Sequence, residues 1–288
     1  MWQERSTITT SDNLQLIRKA PRKRRFLVGR FLMKIGFIGT GIIASAVAAG
    51  FCESGIGDLT VTVSPRNAEK AAALQEKYPE IIRVAASNQQ VVEESEWVFL
   101  SVLPKDAEAV IRDLTIPYEK KVVSLVSSLS LQRLKEISGE HAVCVDVLPL
   151  TFAAQRIGPV VVYPAVEEAR ELLSNIGDAI AVDDPQKIAV FRAITGLMSP
   201  YYMLLTKLID WSVENGVDEP SARAYVTEFA KALTEKAAGW DGPLENLARE
   251  MTPGGFNWTA LTHLEEVDAY TPWTEILAPI MEKCVKEK

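Results

Sequence analysis

Three short stretches combine residue types and spacings that can do chemistry. The first is Gly39-Thr40-Gly41-Ile42-Ile43-Ala44, a Gly-x-Gly-x-x-Ala pattern that ends the apolar run Lys34–Ile38 and opens the small-residue pattern Ala46–Phe51. It reads as strand, tight turn and helix start. Bare backbone at Gly39 and Gly41 lets a pyrophosphate approach N–H groups at a helix N-terminus, those of Thr40, Ile42 and Ile43 among them, while Ala44 allows close helix–strand packing. The second stretch is Ser64-Pro65-Arg66-Asn67, at the end of the next strand and about two dozen residues on, where an NAD enzyme places Asp or Glu on the ribose 2′-hydroxyl. Here no carboxylate stands there. The Arg66 guanidinium and the Ser64 hydroxyl suit a 2′-phosphate through charge-assisted hydrogen bonds, which selects NADPH over NADH. The third is Thr252-Pro253-Gly254-Gly255, whose consecutive glycines before a late helix offer an anion a nest of unobstructed donors.

Other chemistries are poorly supplied. With only His141 and His263 there is no His-rich metal centre, and a Ser-His-Asp triad would need one of these two, each better read as structural or exposed. Cys52, Cys144 and Cys284 lack metal-ligand spacing and read as reduced thiols of a reducing, cytoplasmic compartment. The chemistry is expected to come from a cofactor. The net charge of −7 hides an asymmetry: residues 1–32 hold eight Arg and Lys against Glu4 and Asp12, so the body is far more acidic than the total suggests, which argues against nucleic acid as a partner. The basic lead, with Arg22-Lys23-Arg24-Arg25, fits an organellar presequence, an interaction arm, or sequence upstream of a start at Met33; the position of Met33 directly before the first strand favours the last. No apolar run approaches the roughly 20 residues of a membrane helix, the stretch near Phe191 being broken by Arg192, Ser199, Pro200 and Lys207, so no membrane partner is expected.

The elements that must position these residues alternate. Leu59–Val63 is a second strand; a helix follows over about 67–78, a short strand near 83–85, and Ser87-Asn88 caps the next helix. Trp97–Val102, Lys121–Val126 and Ala142–Val147 are apolar runs of the kind buried on both faces of a parallel sheet, with helices between them. Val160–Tyr163 and Ala179–Val182 extend the sheet. Beyond Asp183-Asp184-Pro185 only helices are read, over 186–215, 219–240, 243–251, 258–268 and 273–286. The first of these carries more apolar surface than one layer covers, so a partner is expected. The pattern predicts an α/β doubly wound, mostly parallel sheet with right-handed crossovers and an all-helical C-terminal domain.

The order of Gly39-Thr40-Gly41, Ser64-Pro65-Arg66, Asn88, Val102-Leu103-Pro104, Ser199-Pro200 and Thr252-Pro253-Gly254-Gly255 resembles that of pyrroline-5-carboxylate reductases, from Met33 almost to the end of the chain. The resemblance implies a Rossmann-type NADP-binding domain over 33–184, a helical dimerisation and substrate domain over 185–288, and a homodimer or higher homo-oligomer. It implies that Asn88 contacts the adenosine, a role that capping a helix does not preclude, and that Asn67, Val102, Leu103, Pro104, Ser127 and Ser128 line the coenzyme cleft. Thr252, Gly254 and Gly255 would hold the carboxylate of a cyclic imino acid, with Asn257 orienting its nitrogen; Asn257 and Thr252 are the implied catalytic residues. Three positions depart from the family pattern: Pro149-Leu150-Thr151-Phe152 has Leu where the family has Asn, Asn257 stands where the family has Thr, and Thr195–Tyr202 replaces a Ser-Gly-Ser-Ser-Pro-Ala-Tyr run. The implied reaction is hydride transfer from NADPH to a C=N bond, giving L-proline. The departures leave open another imine or carbonyl, or a non-catalytic NADPH-binding homologue.

Overall fold

The computed structural model describes residues 32–286, so the basic lead lies outside the described residues except for Leu32. The chain divides into two units. One runs to Leu197 and takes back the chain from Thr274; the other holds residues 198–273.

The sheet unit alternates strands and helices: β1 Met33–Ile38, α1 Ile42–Cys52, β2 Leu59–Val63, α2 Ala68–Lys77, β3 Ile82–Val84, α3 Asn88–Glu94, β4 Trp97–Leu100, α4 Pro104–Arg112, β5 Lys121–Ser124, α5 Leu131–Ser138 and β6 Val143–Leu148. A 3₁₀ turn at Thr151–Gln155 leads to β7 Pro159–Tyr163, α6 Glu167–Leu173, β8 Asp178–Ala181 and α7 Pro185–Thr195. The eight strands lie in the order β3-β2-β1-β4-β5-β6-β7-β8. All neighbours are parallel except β6 and β7, whose short connection cannot make the crossover that a parallel pair needs. Alternate residues of the strands bury opposite faces. Phe37, Phe51 and Phe99 pack together on one face under α1, and Val98, Leu100 and Val122 fill the other under α3, α4 and α5.

The boundary expected after Asp184 falls at Leu197, because α7 lays Ile188 against Val161 and Val182 of the sheet. Its Arg192 makes a buried ion pair with Asp146 of β6. The single helix expected over 186–215 is broken at Gly196-Leu197, where the N–H groups bond three residues back, to Ala193 and Ile194. A β-carbon at Gly196 would lie 2.8 Å from Ile280 Cδ1, so the final helix, α13 Leu277–Lys286, approaches there. Taken together, residues 185–214 are long and apolar enough to cross a membrane by length and composition, contrary to the expectation that Arg192, Ser199, Pro200 and Lys207 interrupt the run. The first half of that stretch is accounted for by its packing on the sheet.

The helical unit comprises α8 Met198–Glu214, α9 Glu219–Ala238, α10 Leu244–Ala248 and α11 Phe256–Glu266, with α12 Thr271–Glu275 at its end. Helices α8 and α9 pack against each other. Yet α8 buries no residue at all, and α9 buries only Ala222 and Val226.

Candidate functional site

The residues named from the sequence for the coenzyme gather at the C-terminal ends of β1 to β5. The strand order reverses between β1 and β4, the place where an open α/β sheet forms a crevice for a ligand. Gly39 has φ +95°, and a β-carbon there would sit 2.2 Å from the carbonyl oxygen of Ser101 at the end of β4, so only glycine fits. Its N–H donates to Ser64 Oγ at 2.9 Å. Ser64 is fully buried beneath the loop, which corrects its expected role: the hydroxyl braces the glycine turn from below instead of standing beside a phosphate. Thr40 is buried too, its hydroxyl directed at the Asn67 carbonyl.

Gly41 is the N-cap of α1 and has open space where a β-carbon would be. No side chain caps this helix, and its first internal bond runs from Ser45 N–H to the Gly41 carbonyl. The N–H groups of Ile42, Ile43 and Ala44 therefore lie outside the helical ladder at the positive end of the helix. A dinucleotide pyrophosphate fits this donor set. Buried Ala44 keeps α1 close to the sheet, as its small size suggested.

The neighbouring loops complete the row. Asn67 is the N-cap of α2, its Oδ1 accepting from Lys70 N–H, so it shapes the turn that presents Arg66. Arg66 is exposed and its Nη2 donates to Asp106 Oδ2 at 2.8 Å. Ser87, not Asn88, caps α3, its Oγ accepting from Gln90 N–H. Asn88 is the first helical residue and makes no side-chain hydrogen bond among the described residues, which leaves its amide to a ligand. Leu103 and Pro104 begin α4 without a side-chain cap, Val102 is half-buried, and Ser127 and Ser128 follow β5. Sequence reasoning missed Asp106, which lies forty residues from Arg66 and carries no local signal. It also missed Gly50, where a β-carbon would meet the Ala153 carbonyl oxygen at 2.2 Å. That approach seats the Leu150–Phe152 turn directly on α1.

In the helical unit, Gly254 has φ +76° and Gly255 N–H donates to the Thr252 carbonyl, closing a tight turn. Gly255 caps α11 with backbone alone, and the first bond of that helix is Thr259 N–H to the Gly255 carbonyl. Free N–H groups at Phe256, Asn257 and Trp258 thus form a second anion-receptive helix start. Asn257 is exposed in its first turn, and Phe256 is 95% exposed, so neither belongs to a core. The remaining titratable candidates are inert. Burial, then the Glu53 charge, push the Cys52 thiol up to about 12, and burial takes Cys144 up to about 11, so neither is a thiolate near neutral pH. His141 is buried with its Nε2 on Ser138 Oγ, and burial keeps its pKa below the ordinary value.

These features define a Rossmann-type dinucleotide-dependent oxidoreductase. Residues 34–128 match the family described as NADP oxidoreductase, coenzyme F420-dependent. The pyrroline-5-carboxylate reductase of Escherichia coli is 28% identical over 273 residues, covering 88% of this chain and 97% of that protein. That of Corynebacterium melassecola is 27% identical over 246 residues, 81% of this chain and 90% of the other. The fold is that of the Plasmodium falciparum pyrroline carboxylate reductase solved with NADP bound: TM-score 0.77, 21% identity, 90% of this chain and 99% of that one. The chain is thus similar to pyrroline-5-carboxylate reductases over most of its length.

Proposed function

We propose that this protein is an NADPH-dependent imine reductase that converts Δ1-pyrroline-5-carboxylate to L-proline. The observation that carries the reading is the match with reductases of that name over most of both chains, 88% of this one and 97% of the Escherichia coli protein. The N–H groups after Gly41 hold the pyrophosphate, Arg66 the 2′-phosphate and Asn88 the adenosine. Bound NADPH supplies the hydride. An iminium carbon is already electrophilic, so the protein's work is to position it and to exclude water. The turn at Thr252, Gly254 and Gly255 anchors the substrate carboxylate. The Asn257 carbonyl oxygen accepts a hydrogen bond from the iminium N–H. As the C=N π electrons become the nitrogen lone pair, this contact holds the ring's orientation.

A second copy of the chain is the partner we infer. Tyr202, Met203, Trp211, Tyr225, Phe229 and Leu233 on α8 and α9 are all exposed, a concentration of large apolar side chains that suits an interface between proteins. Sedimentation equilibrium is expected to find a dimer or larger assembly at micromolar concentration; a monomer throughout would remove this inference. The reduced thiols support a cytoplasmic site.

Leu150, Asn257 and the exposed Phe256 also suit a bulkier imine, so substrate choice is tested directly. Coenzyme oxidation is measured with pyrroline-5-carboxylate, the six-membered piperideine analogue and linear imines, for the native protein and for Asn257→Thr. Pyrroline-5-carboxylate is expected to give the highest kcat/KM, with Asn257→Thr neutral or harmful. A large gain in that variant would point to a site reshaped for another imine. Coenzyme binding without turnover on any imine would sink the enzymatic reading.

A further inference from the structure

The Arg66–Asp106 ion pair has a position that an ordinary surface pair lacks. Arg66 follows β2 and Asp106 lies in the first turn of α4, after β4; these strands are the two neighbours of β1. The 2.8 Å contact therefore runs across the end of β1, over the loop that carries Gly39 and Gly41. Side-chain exposure is 55% for Arg66 and 26% for Asp106, so the carboxylate is the better shielded partner. It is also favoured where it stands, because a carboxylate near a helix N-terminus is stabilised by the helix dipole.

We propose that Asp106 is a specificity-determining residue that sets how strongly the protein prefers a 2′-phosphorylated coenzyme. The inference rests on reading Arg66 as the ligand of the 2′-phosphate. A guanidinium has five donors in a fixed plane, and Asp106 occupies one edge through Nη2. A phosphate monoester, carrying between one and two negative charges near neutral pH, must either displace the carboxylate or share the guanidinium with it at close range. Either way the like charge on Asp106 costs binding energy that a coenzyme without the phosphate does not lose. Asp106 thus opposes the preference that Arg66 creates, and the balance of the two sets the selectivity.

Fluorescence titration of the full-length protein with NADPH and NADH, and competition by 2′,5′-ADP against 5′-ADP, test this. Asp106→Asn should tighten NADPH and 2′,5′-ADP about two- to fivefold, the scale of an exposed ion pair, and the gain should shrink in high salt. NADH and 5′-ADP should move by a smaller factor. Asp106→Glu, which keeps the charge, should behave like the native protein. Weaker NADPH binding in Asp106→Asn, no change, or equal shifts for both coenzymes would overturn the proposal. Arg66→Ala separates the two levels of inference. If it weakens NADPH and NADH alike, the reading of Arg66 has failed; if it is selective while Asp106→Asn is not, only the role of Asp106 has failed.

Discussion

Asp146→Ala is expected to lose about 3–5 kcal/mol of stability, because it strands a buried guanidinium without its counter-charge. Arg192 is only 5% exposed and Asp146 1%, and the pair fastens α7 to the second half of β6. Among the described residues Arg192 Nε and Nη1 have no hydrogen-bond partner, so the cation already leans heavily on this one carboxylate. The same observation predicts a rescue. A buried ion pair gains little over well-packed apolar groups, since desolvation consumes most of its attraction. Asp146→Leu combined with Arg192→Met should therefore be more stable than Asp146→Ala, although it carries one more substitution. Urea denaturation of Asp146→Leu, Arg192→Met, the double and the native protein measures the coupling. Strictly additive losses would show that the pair does not act as a unit.

Gly39→Ala and Gly41→Ala should fail in different ways, although they are two residues apart in one motif. At Gly39 the positive φ alone costs a substituted residue about 1–3 kcal/mol. The new β-carbon would also collide with the Ser101 carbonyl and drive the loop off Ser64, so the thermal midpoint should fall along with coenzyme affinity. Gly41 has φ −71° and no neighbour within 4 Å of the position a β-carbon would take. Gly41→Ala should fold normally and still bind poorly, because the methyl enters the space where a pyrophosphate meets the N–H groups of α1. Losing even one charge-assisted contact costs about 1.5–3 kcal/mol, roughly tenfold or more in Kd. Isothermal titration beside a thermal melt of each variant tells the two modes apart. Unchanged NADPH affinity in Gly41→Ala would place the pyrophosphate elsewhere.

Much of this was legible in the sequence where the signal is local. The glycine pattern between an apolar run and a small-residue helix gave away β1, its turn and α1, and the apolar runs marked the parallel strands. What escaped depends on partners far along the chain. The periodicity of 186–215 continues through Thr195-Gly196-Leu197, and the break there goes with Ile280, some eighty residues on. Ser64 looked like a phosphate ligand because its hydroxyl type suits one; that it lies under Gly39 depends on strand register. Asp106 was invisible as a partner of Arg66 because no spacing rule links two loops on either side of a third strand. The reversal of β7 was partly readable, since the ten residues between Leu148 and Pro159 leave no room for a crossover helix.

That reversal has a directional consequence. Strand β6 ends at the same edge of the sheet as the coenzyme loops, and a parallel β7 and β8 would have ended there too. Because both run the other way, α7 starts at the far edge and climbs back, and the meeting of Arg192, late in α7, with Asp146, late in β6, records the direction of that climb. A single reversal in the sheet thus decides at which pole α7 begins and at which it finishes.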